Sequence, residues 1–250
     1  MYTRDVTSLQ HPIVKHLVKL RIERTYREAQ GTVLIPGIKL VQELSTDFPL
    51  KTLLVEEGAP IPPGITAEQT LIVPEQILKK VTGVQQPEPL AAEISLPRPA
   101  SLKGIQKLLI LDGISDPGNV GTLIRTAAAL KIEGVFLTKE TCDPFNEKAL
   151  RAAKGATFKI PFRQGSYEEL IALIASEKLP LWIAEGKGAT QIACPSTFAL
   201  ALGNEAHGVS PLLHPHGTLV RIAIHPDIES LNVSAAGAIL MDRLQRGTHV

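Results

Sequence analysis

Residues 108–130 read LLILDGISDPGNVGTLIRTAAAL. An uninterrupted apolar run leads into Asp112-Gly113, and a helix is predicted to begin near residues 119–122, after a turn rich in Asp and Gly. Asn119 stands where its side chain can cap that helix. Ligands of open α/β sheets bind beyond the carboxyl ends of the strands. This strand–turn–helix unit therefore indicates an α/β fold and a candidate ligand site at the turn.

The chain around this unit repeats the same alternation. Predicted helices at 166–177 and 234–246 alternate with apolar runs, namely GVFLT (134–138), PLWIAEG (180–186), TFALALGNE (197–205) and LVRIAI (219–224). Strands that are apolar along their whole length are typical of parallel sheets buried on both faces. Residues 107–250 are therefore predicted to form one α/β domain with a parallel sheet.

The first hundred residues predict a smaller α/β domain. A helix is expected over 12–29, strands at 32–37, 51–57 and 70–75, and further helices at 37–44 and 74–83. Four prolines then fall within residues 84–104, which favours a linker. The predicted domains are thus 1–98 and 107–250, joined by residues 99–106.

Composition excludes several classes of protein. The 250 residues carry a net charge of +1, with 44% hydrophobic and 20% charged residues, as in ordinary globular proteins. Two cysteines, Cys142 and Cys194, are too few for a disulfide scaffold or a four-thiolate zinc site. His207, His214 and His216 lack a matching cysteine or carboxylate pattern, so no metal site is expected.

No apolar segment reaches the roughly 18 residues that a membrane span needs, and the N-terminus lacks a signal-peptide core. We expect a cytoplasmic protein without membrane or metal partners.

The charge is unevenly distributed. Residues 1–27 have a local balance of +4, and the basic side chains Lys19, Arg21 and Arg24 lie opposite the apolar face of the predicted helix. Such a face fits contact with RNA phosphates. It fits a merely solvated helix surface equally well.

Two further segments carry candidate site residues. In ALALGNEAHGVSP (199–211), an apolar strand ends in Gly203-Asn204-Glu205, where glycine permits close approach of the backbone to a flat ligand. In RIAIHPDIESLNVSAAGAILMDRLQR (221–246), three polar side chains stand at a helix start, where backbone N–H groups are free. Alone, the first fits an ordinary strand-to-turn junction and the second an ordinary capped helix.

Taken together in this order, the motifs resemble those of the SpoU, or TrmH-type, family of RNA ribose 2′-O-methyltransferases in the SPOUT superfamily. The matching elements are Asn119-Val120-Gly121 with Arg125, then Leu202-Gly203-Asn204-Glu205, then Glu229-Ser230-Leu231-Asn232-Val233-Ser234. Residues 143–162 resemble the stretch between the family's first two motifs, and the N-terminal part resembles its small RNA-binding domain more loosely.

The resemblance implies a catalytic domain knotted as a deep trefoil, S-adenosylmethionine as cofactor, and a homodimer with its active site near the subunit interface. Arg125 is the catalytic residue that it implies, expected to face the reactive carbon. The other expected catalytic residues are Asn119, Glu205, Ser230 and Asn232. The expected cofactor-binding residues are Leu202, Gly203, Ile222, Ile224, Leu231, Val233 and Ser234. The expected RNA-binding residues are Lys19, Arg21, Arg24 and Arg151.

Several alternatives stay open. The two-domain organisation favours ribosomal RNA over transfer RNA as substrate, and an inactive RNA-binding homologue is a further possibility. Residues 224–228 depart from the family pattern in a shortened loop, which makes Ile224 a weaker assignment. The segment PLWIAEGKGAT (180–190) superficially resembles the glycine-rich loop of a nucleotide-binding methyltransferase, but Thr190 replaces the third glycine and only 60 residues follow.

Overall fold

Two compact units make up the chain. The computed structural model describes residues 2–191 and 195–246. The first unit extends to Arg98 and also includes Phe145–Glu147, and the second contains Pro99–Pro144 and continues from Lys148.

The first unit is built on a five-stranded sheet in the order β1-β4-β3-β5-β2. Strand β4 is parallel to both β1 and β3, whereas β5 is antiparallel to both β3 and β2. Its elements are β1 (Tyr2–Asp5), α1 (Pro12–Ile22), α2 (Arg24–Gln30), β2 (Thr32–Pro36), α3 (Ile38–Leu44), β3 (Leu50–Glu56), β4 (Ala67–Val73), α4 (Glu75–Thr82) and β5 (Leu90–Ser95).

Two predictions for this unit were wrong. The helix expected over 12–29 breaks at Glu23, whose backbone is extended, and the buried Arg27 donates to the carbonyls of Leu20 (2.7 Å) and Arg21 (2.9 Å). These bonds satisfy carbonyls at the end of α1 and stabilise the break. The proline-rich stretch 84–104, read as a linker, contains β5, because its prolines flank the strand rather than interrupt it.

The second unit is built on a six-stranded parallel sheet in the order β11-β9-β10-β6-β7-β8. Its elements are β6 (Lys107–Asp112), α5 (Pro117–Ala129), β7 (Gly134–Thr138), α6 (Glu147–Ala153), β8 (Phe162–Gly165), α7 (Tyr167–Ser176), β9 (Leu181–Ala189), β10 (Phe198–Gly203), β11 (Gly217–Val220) and α8 (Val233–Arg246), with short 3-10 helices at Ala156–Phe158 and His214–His216.

The parallel sheet is buried on both faces, as predicted. Side chains of β6 alternate between two hydrophobic clusters, Leu109 and Leu111 entering one, Leu108 and Ile110 the other. All four side chains are fully buried. Alternation with a period of two places the clusters on opposite faces of the sheet, so the strand ends are held rigidly between two cores.

The predicted bounds of two elements next to the site change. Helix α5 begins at Pro117 and its cap is Asp116, whose side chain accepts from the N–H of Asn119 at 2.8 Å. The side chain of Asn119 is thereby free for other contacts. The strand expected over 219–224 ends at Val220, and residues 221–232 form an irregular segment before α8.

Among the residues that the structure describes, no helix is long and apolar enough to cross a membrane. Within the same residues, no three His, Cys, Asp or Glu side chains are grouped so as to hold a metal ion.

Candidate active site

The three motifs meet at the carboxyl edge of the second unit's sheet. Strands β6 and β10 are neighbours there, and Gly203 at the end of β10 pairs with Asp112 at the end of β6. Helix α8 packs against both α5 and β10. Segments far apart in the chain therefore form one site, where parallel-sheet proteins bind ligands.

A cavity of about 480 Å³ opens at this edge. Apolar side chains and the backbone at the strand ends line it, together with three carboxylates and one guanidinium. A lining of this kind suits a ligand that has an apolar ring and charged substituents. Six of the seven residues predicted to bind the cofactor line it, together with three predicted catalytic residues; they are Leu202, Gly203, Ile222, Ile224, Leu231 and Val233, with Glu205, Ser230 and Asn232.

The wall of the cavity at Gly203 requires glycine. A Cβ at this position would lie 2.1 Å from the carbonyl carbon of Gly208 and 2.2 Å from the nitrogen of Val209. Both are backbone atoms, which cannot move aside as a flexible side chain can. Gly208 itself has a φ of 71°, a conformation that favours glycine. The two glycines therefore allow the loop after β10 to fold back onto the strand end.

A polar network joins the motifs beside the cavity. The amide of Asn119 donates to Glu205 Oε1 at 2.6 Å, and its carbonyl oxygen accepts from Asn232 Nδ2 at 3.1 Å and from Ser234 Oγ at 3.0 Å. Asn232 Oδ1 in turn accepts from the N–H of Ser234 at 2.9 Å and so caps α8. One asparagine thus ties α5, the loop after β10 and the start of α8 together.

Ser234 occupies a different place from the one predicted. It is buried, and its hydroxyl donates to Asn119, so it is part of the polar network and not of the cavity lining that the structure gives. The hydroxyl of Ser234 thereby joins the start of α8 to α5.

Sequence reasoning missed Asp112 as a structural anchor of the site. Its buried carboxylate accepts from the hydroxyl of Tyr167 at 2.7 Å and from the N–H of Ser210 at 2.7 Å. Burial, followed by the bond to Asp112, raises the pKa of Tyr167 to about 12. The anchor holds the end of the loop 204–210, and its one visible signal in the sequence is an aspartate that ends a wholly apolar strand.

Arg125 lies outside this cavity in its own chain. It is exposed and lines a separate cleft of about 440 Å³ between α5 and α8, with Thr122, Ala129, Ala238 and Asp242 among the lining residues. Six residues along a helix correspond to about 9 Å of rise and about 240° of rotation. Asn119 and Arg125 therefore point to different sides of α5 although both belong to the first motif.

The predicted RNA-binding residues differ in exposure. Lys19 and Arg24 are exposed on α1 and α2, and Arg24 forms an ion pair with Glu28 at 2.8 Å. Arg21 is half-buried, and Arg151 is exposed on α6.

Cys142 is not among the residues that line the cavity at Gly203. Cys142 is half-buried beside the larger hydrophobic cluster of the second unit. Cys194 lies outside the described residues.

Family models match both parts of the chain. A model described as the SpoU rRNA methylase family matches residues 106–242, more than half of the chain. A model described as an MRM3-like substrate binding domain matches residues 11–92.

Full-length relatives agree with these matches. The chain is 32% identical over 248 residues to the 23S rRNA (guanosine(2553)-2′-O)-methyltransferase RlmP of Bacillus subtilis, covering 97% of this chain and 99% of the relative. It is 30% identical over 262 residues to an uncharacterized tRNA/rRNA methyltransferase of Synechocystis, covering 97% and 93%. An AdoMet-bound rRNA methyltransferase from Sinorhizobium meliloti matches with a TM-score of 0.87 and 27% identity over 98% of both chains.

Proposed function

This chain belongs to the SpoU rRNA methylase family, and we propose that it transfers a methyl group from S-adenosylmethionine to one ribose 2′-hydroxyl of ribosomal RNA. The class of enzyme, an RNA ribose 2′-O-methyltransferase that uses S-adenosylmethionine, follows from the family and from relatives that match over nearly the whole chain. The ribosomal target rests on the relative RlmP, whose substrate is 23S rRNA.

The cavity at Gly203 fits the methyl donor. Its apolar side chains suit an adenine ring, and the loop that folds back onto Gly203, because that residue has no Cβ, closes one wall of the cavity. Arg221 offers a guanidinium for a carboxylate, and the carboxylates of the lining suit cationic groups. When bound, the donor supplies an electrophilic methyl carbon, so the protein's main task is positioning.

We assign that positioning to the network centred on Asn119. Glu205, Asn232 and Ser234 hold its side chain from three directions, and Glu205 and Asn232 also line the cavity. Polar groups fixed in this way can orient an incoming ribose hydroxyl without reorganising during the reaction. Ser230, on the same rim, is proposed to contact the acceptor nucleotide.

Arg125 is proposed to act in the active site of a partner subunit. An arginine does not lose its proton under ordinary conditions, so its role is to bind the phosphate beside the target ribose and to stabilise the developing alkoxide. The cleft that it lines between α5 and α8 is open and rich in small side chains, which suits close packing of another helix. A homodimer formed through this face would bring the partner subunit's Arg125 toward the cavity.

The remaining parts of the proposal concern topology and RNA. We propose that the segment after β11 passes through the loop of residues 204–216 to form a trefoil knot, supported by the likeness to the S. meliloti enzyme over 98% of both chains. We propose that residues 1–98 bind RNA, supported by the substrate-binding model at 11–92, with Lys19, Arg21 and Arg24, and also Arg151 of the second unit, contacting phosphates. We also propose that it acts in the cytoplasm, where bacteria such as the source of its relative RlmP assemble their ribosomes.

Label transfer tests the function directly. Purified protein and S-adenosylmethionine with a labelled methyl group are incubated with unmodified 23S rRNA, 16S rRNA and transfer RNA, and nucleosides are identified by mass spectrometry. We expect one 2′-O-methylated nucleoside in 23S rRNA, and its loss in Asn119→Ala. Transfer of the labelled methyl group into transfer RNA alone would identify transfer RNA, and not ribosomal RNA, as the substrate. Binding of RNA without any transfer would identify an inactive homologue.

A further inference from the structure

Strand β9 bulges outward beside the cavity. Leu219 of β11 pairs with Ile183, but the next residue, Val220, pairs with Ala189. Five residues of β9, 184–188, lie between these two pairs. Gly188 anchors the bulge, because a Cβ there would lie 2.3 Å from the nitrogen of Val220. Bulges at the ends of strands redirect side chains and recur beside active sites.

The bulge turns a carboxylate toward the cavity. Ala184, Glu185 and Gly186 all line it. Glu185 Oε1 would lie 3.6 Å from a Cβ built on Gly208, the glycine that packs against Gly203. His214 Nε2 lies 2.9 Å from the same oxygen, an ion-pair distance. The carboxylate therefore lies at the Gly203–Gly208 wall with His214 beside it, and the two side chains form an ion pair when His214 is protonated.

We propose that Glu185 binds the two vicinal hydroxyls of the adenosyl ribose and that His214 positions it; this inference rests on the proposed function. A carboxylate only accepts hydrogen bonds and has two oxygens, which match two neighbouring hydroxyl donors. Glu185 lies on the strand next to β10, at the carboxyl edge, where acidic residues of other parallel-sheet folds bind a ribose.

The alternative partners of Glu185 are the cationic groups of the donor. The sulfonium must lie where the acceptor ribose enters, and the polar network of Asn119, Glu205 and Asn232 marks that side. The contacts of Glu185 are instead with His214 and the Gly208 side of the loop. The geometry thus favours the sugar over the reacting end of the donor.

Calorimetric titration of the full chain distinguishes these partners. Four ligands are compared in wild type and Glu185→Gln: S-adenosylmethionine, S-adenosylhomocysteine, 5′-methylthioadenosine and the 2′,3′-dideoxy form of 5′-methylthioadenosine. Since a hydrogen bond to a charged group is lost, we expect Glu185→Gln to weaken the first three by a similar factor of about ten. The dideoxy ligand should bind both proteins equally. His214→Asn should weaken the same three ligands by a smaller factor.

Each contrary outcome is informative. If Glu185→Gln weakens the binding of S-adenosylmethionine alone, Glu185 contacts the sulfonium. If it weakens the binding of S-adenosylmethionine and S-adenosylhomocysteine but not of 5′-methylthioadenosine, Glu185 contacts the amino group. Either result overturns the inference, and so does equal binding of every ligand by both proteins. Glu68→Gln, an exposed carboxylate on β4, controls for the loss of charge, and thermal melting verifies the fold. A wild-type protein that bound none of the ligands would refute the proposed function itself.

Discussion

Arg125 offers the sharpest test of how the active site is assembled. It is exposed and does not line its own chain's cavity at Gly203, so the proposed homodimer would supply it from the partner. Two variants separate the two contributions. Arg125→Ala leaves the cavity intact. Leu231→Lys leaves the arginine intact but adds a positive charge to the cavity, at a residue 36% exposed whose replacement costs little packing.

The expected magnitudes follow from the arrangement. Homodimeric Arg125→Ala should lose about 100- to 1,000-fold in turnover, the usual loss when one stabilising group is removed from a transition state. Homodimeric Leu231→Lys should be inactive at the same donor concentration because its altered cavity no longer binds the donor. Random exchange of subunits makes half of the dimers mixed, and each mixed dimer contains one cavity and one arginine that are both intact. Activity of an equimolar mixture should therefore recover to about a quarter of wild type.

The assay is methyl transfer into 23S rRNA before and after subunit exchange. Exchange is verified independently with differently tagged subunits, and a mixture of Arg125→Ala with itself serves as the control. If exchange occurs and the mixture stays as inactive as its components, Arg125 acts within its own chain or not at all, and the reasoning from its position on α5 fails.

Three further predictions concern binding and stability. Gly203→Ala should lower the free energy of unfolding by about 1–3 kcal/mol and weaken S-adenosylmethionine binding in calorimetry. Gly186→Ala, which lines the same cavity with nothing within 4 Å of the new Cβ, should do neither; equal effects would contradict the account of the wall. Burial raises the pKa of Glu93, but hydrogen bonds from His16 and Thr52 to its carboxylate act in the opposite direction, and the pKa is lowered overall. Glu93 should therefore stabilise the fold above its ordinary pKa of about 4.3, and the difference in melting temperature between wild type and Glu93→Gln should shrink as the pH falls below that value. The pKa of Tyr167 is raised to about 12, so the stability that the protonated Tyr167 hydroxyl contributes should be complete below pH ~10 and fall as the pH rises toward 12. If the melting temperature of Tyr167→Phe declines with pH over the same range as that of wild type, Tyr167 does not cause the decline.

The parallel sheet was predictable because its strands are apolar on both faces. Runs such as KLLILDG and TFALALG have no alternation of polar and apolar residues, which only a doubly covered sheet explains at that length. The polar residues that follow each run then had to lie at one edge. The structure brings Gly203 and Leu231 to one cavity, an arrangement that the family resemblance implied and the apolar runs alone did not.

Strand β5 was not predictable for a related reason. Its residues Leu90–Ser95 lie between prolines that locally favour turns and extended linkers. What makes them a strand is antiparallel pairing with β3 and β2 on either side. Such pairing depends on distant residues, which a local pattern does not contain.

The bulge of β9 illustrates the same limit at the active site. The letters EGKG at 185–188 suggested a glycine-rich loop of another fold, because glycines that end an apolar run usually mark a turn. In the structure they do not end the strand. Gly188 allows β9 to return to β11 at Val220, and the residues in between turn Glu185 toward the cavity. The local sequence shows the glycines and the carboxylate. It does not show which residue of β11 pairs with β9 after the bulge, and the position of Glu185 depends on that pairing. The same holds for Arg125, whose distance from Asn119 along α5 can be read from the sequence, whereas the subunit proposed to receive it cannot. Residues whose role depends on non-local pairing are therefore the ones that a single sequence does not reveal.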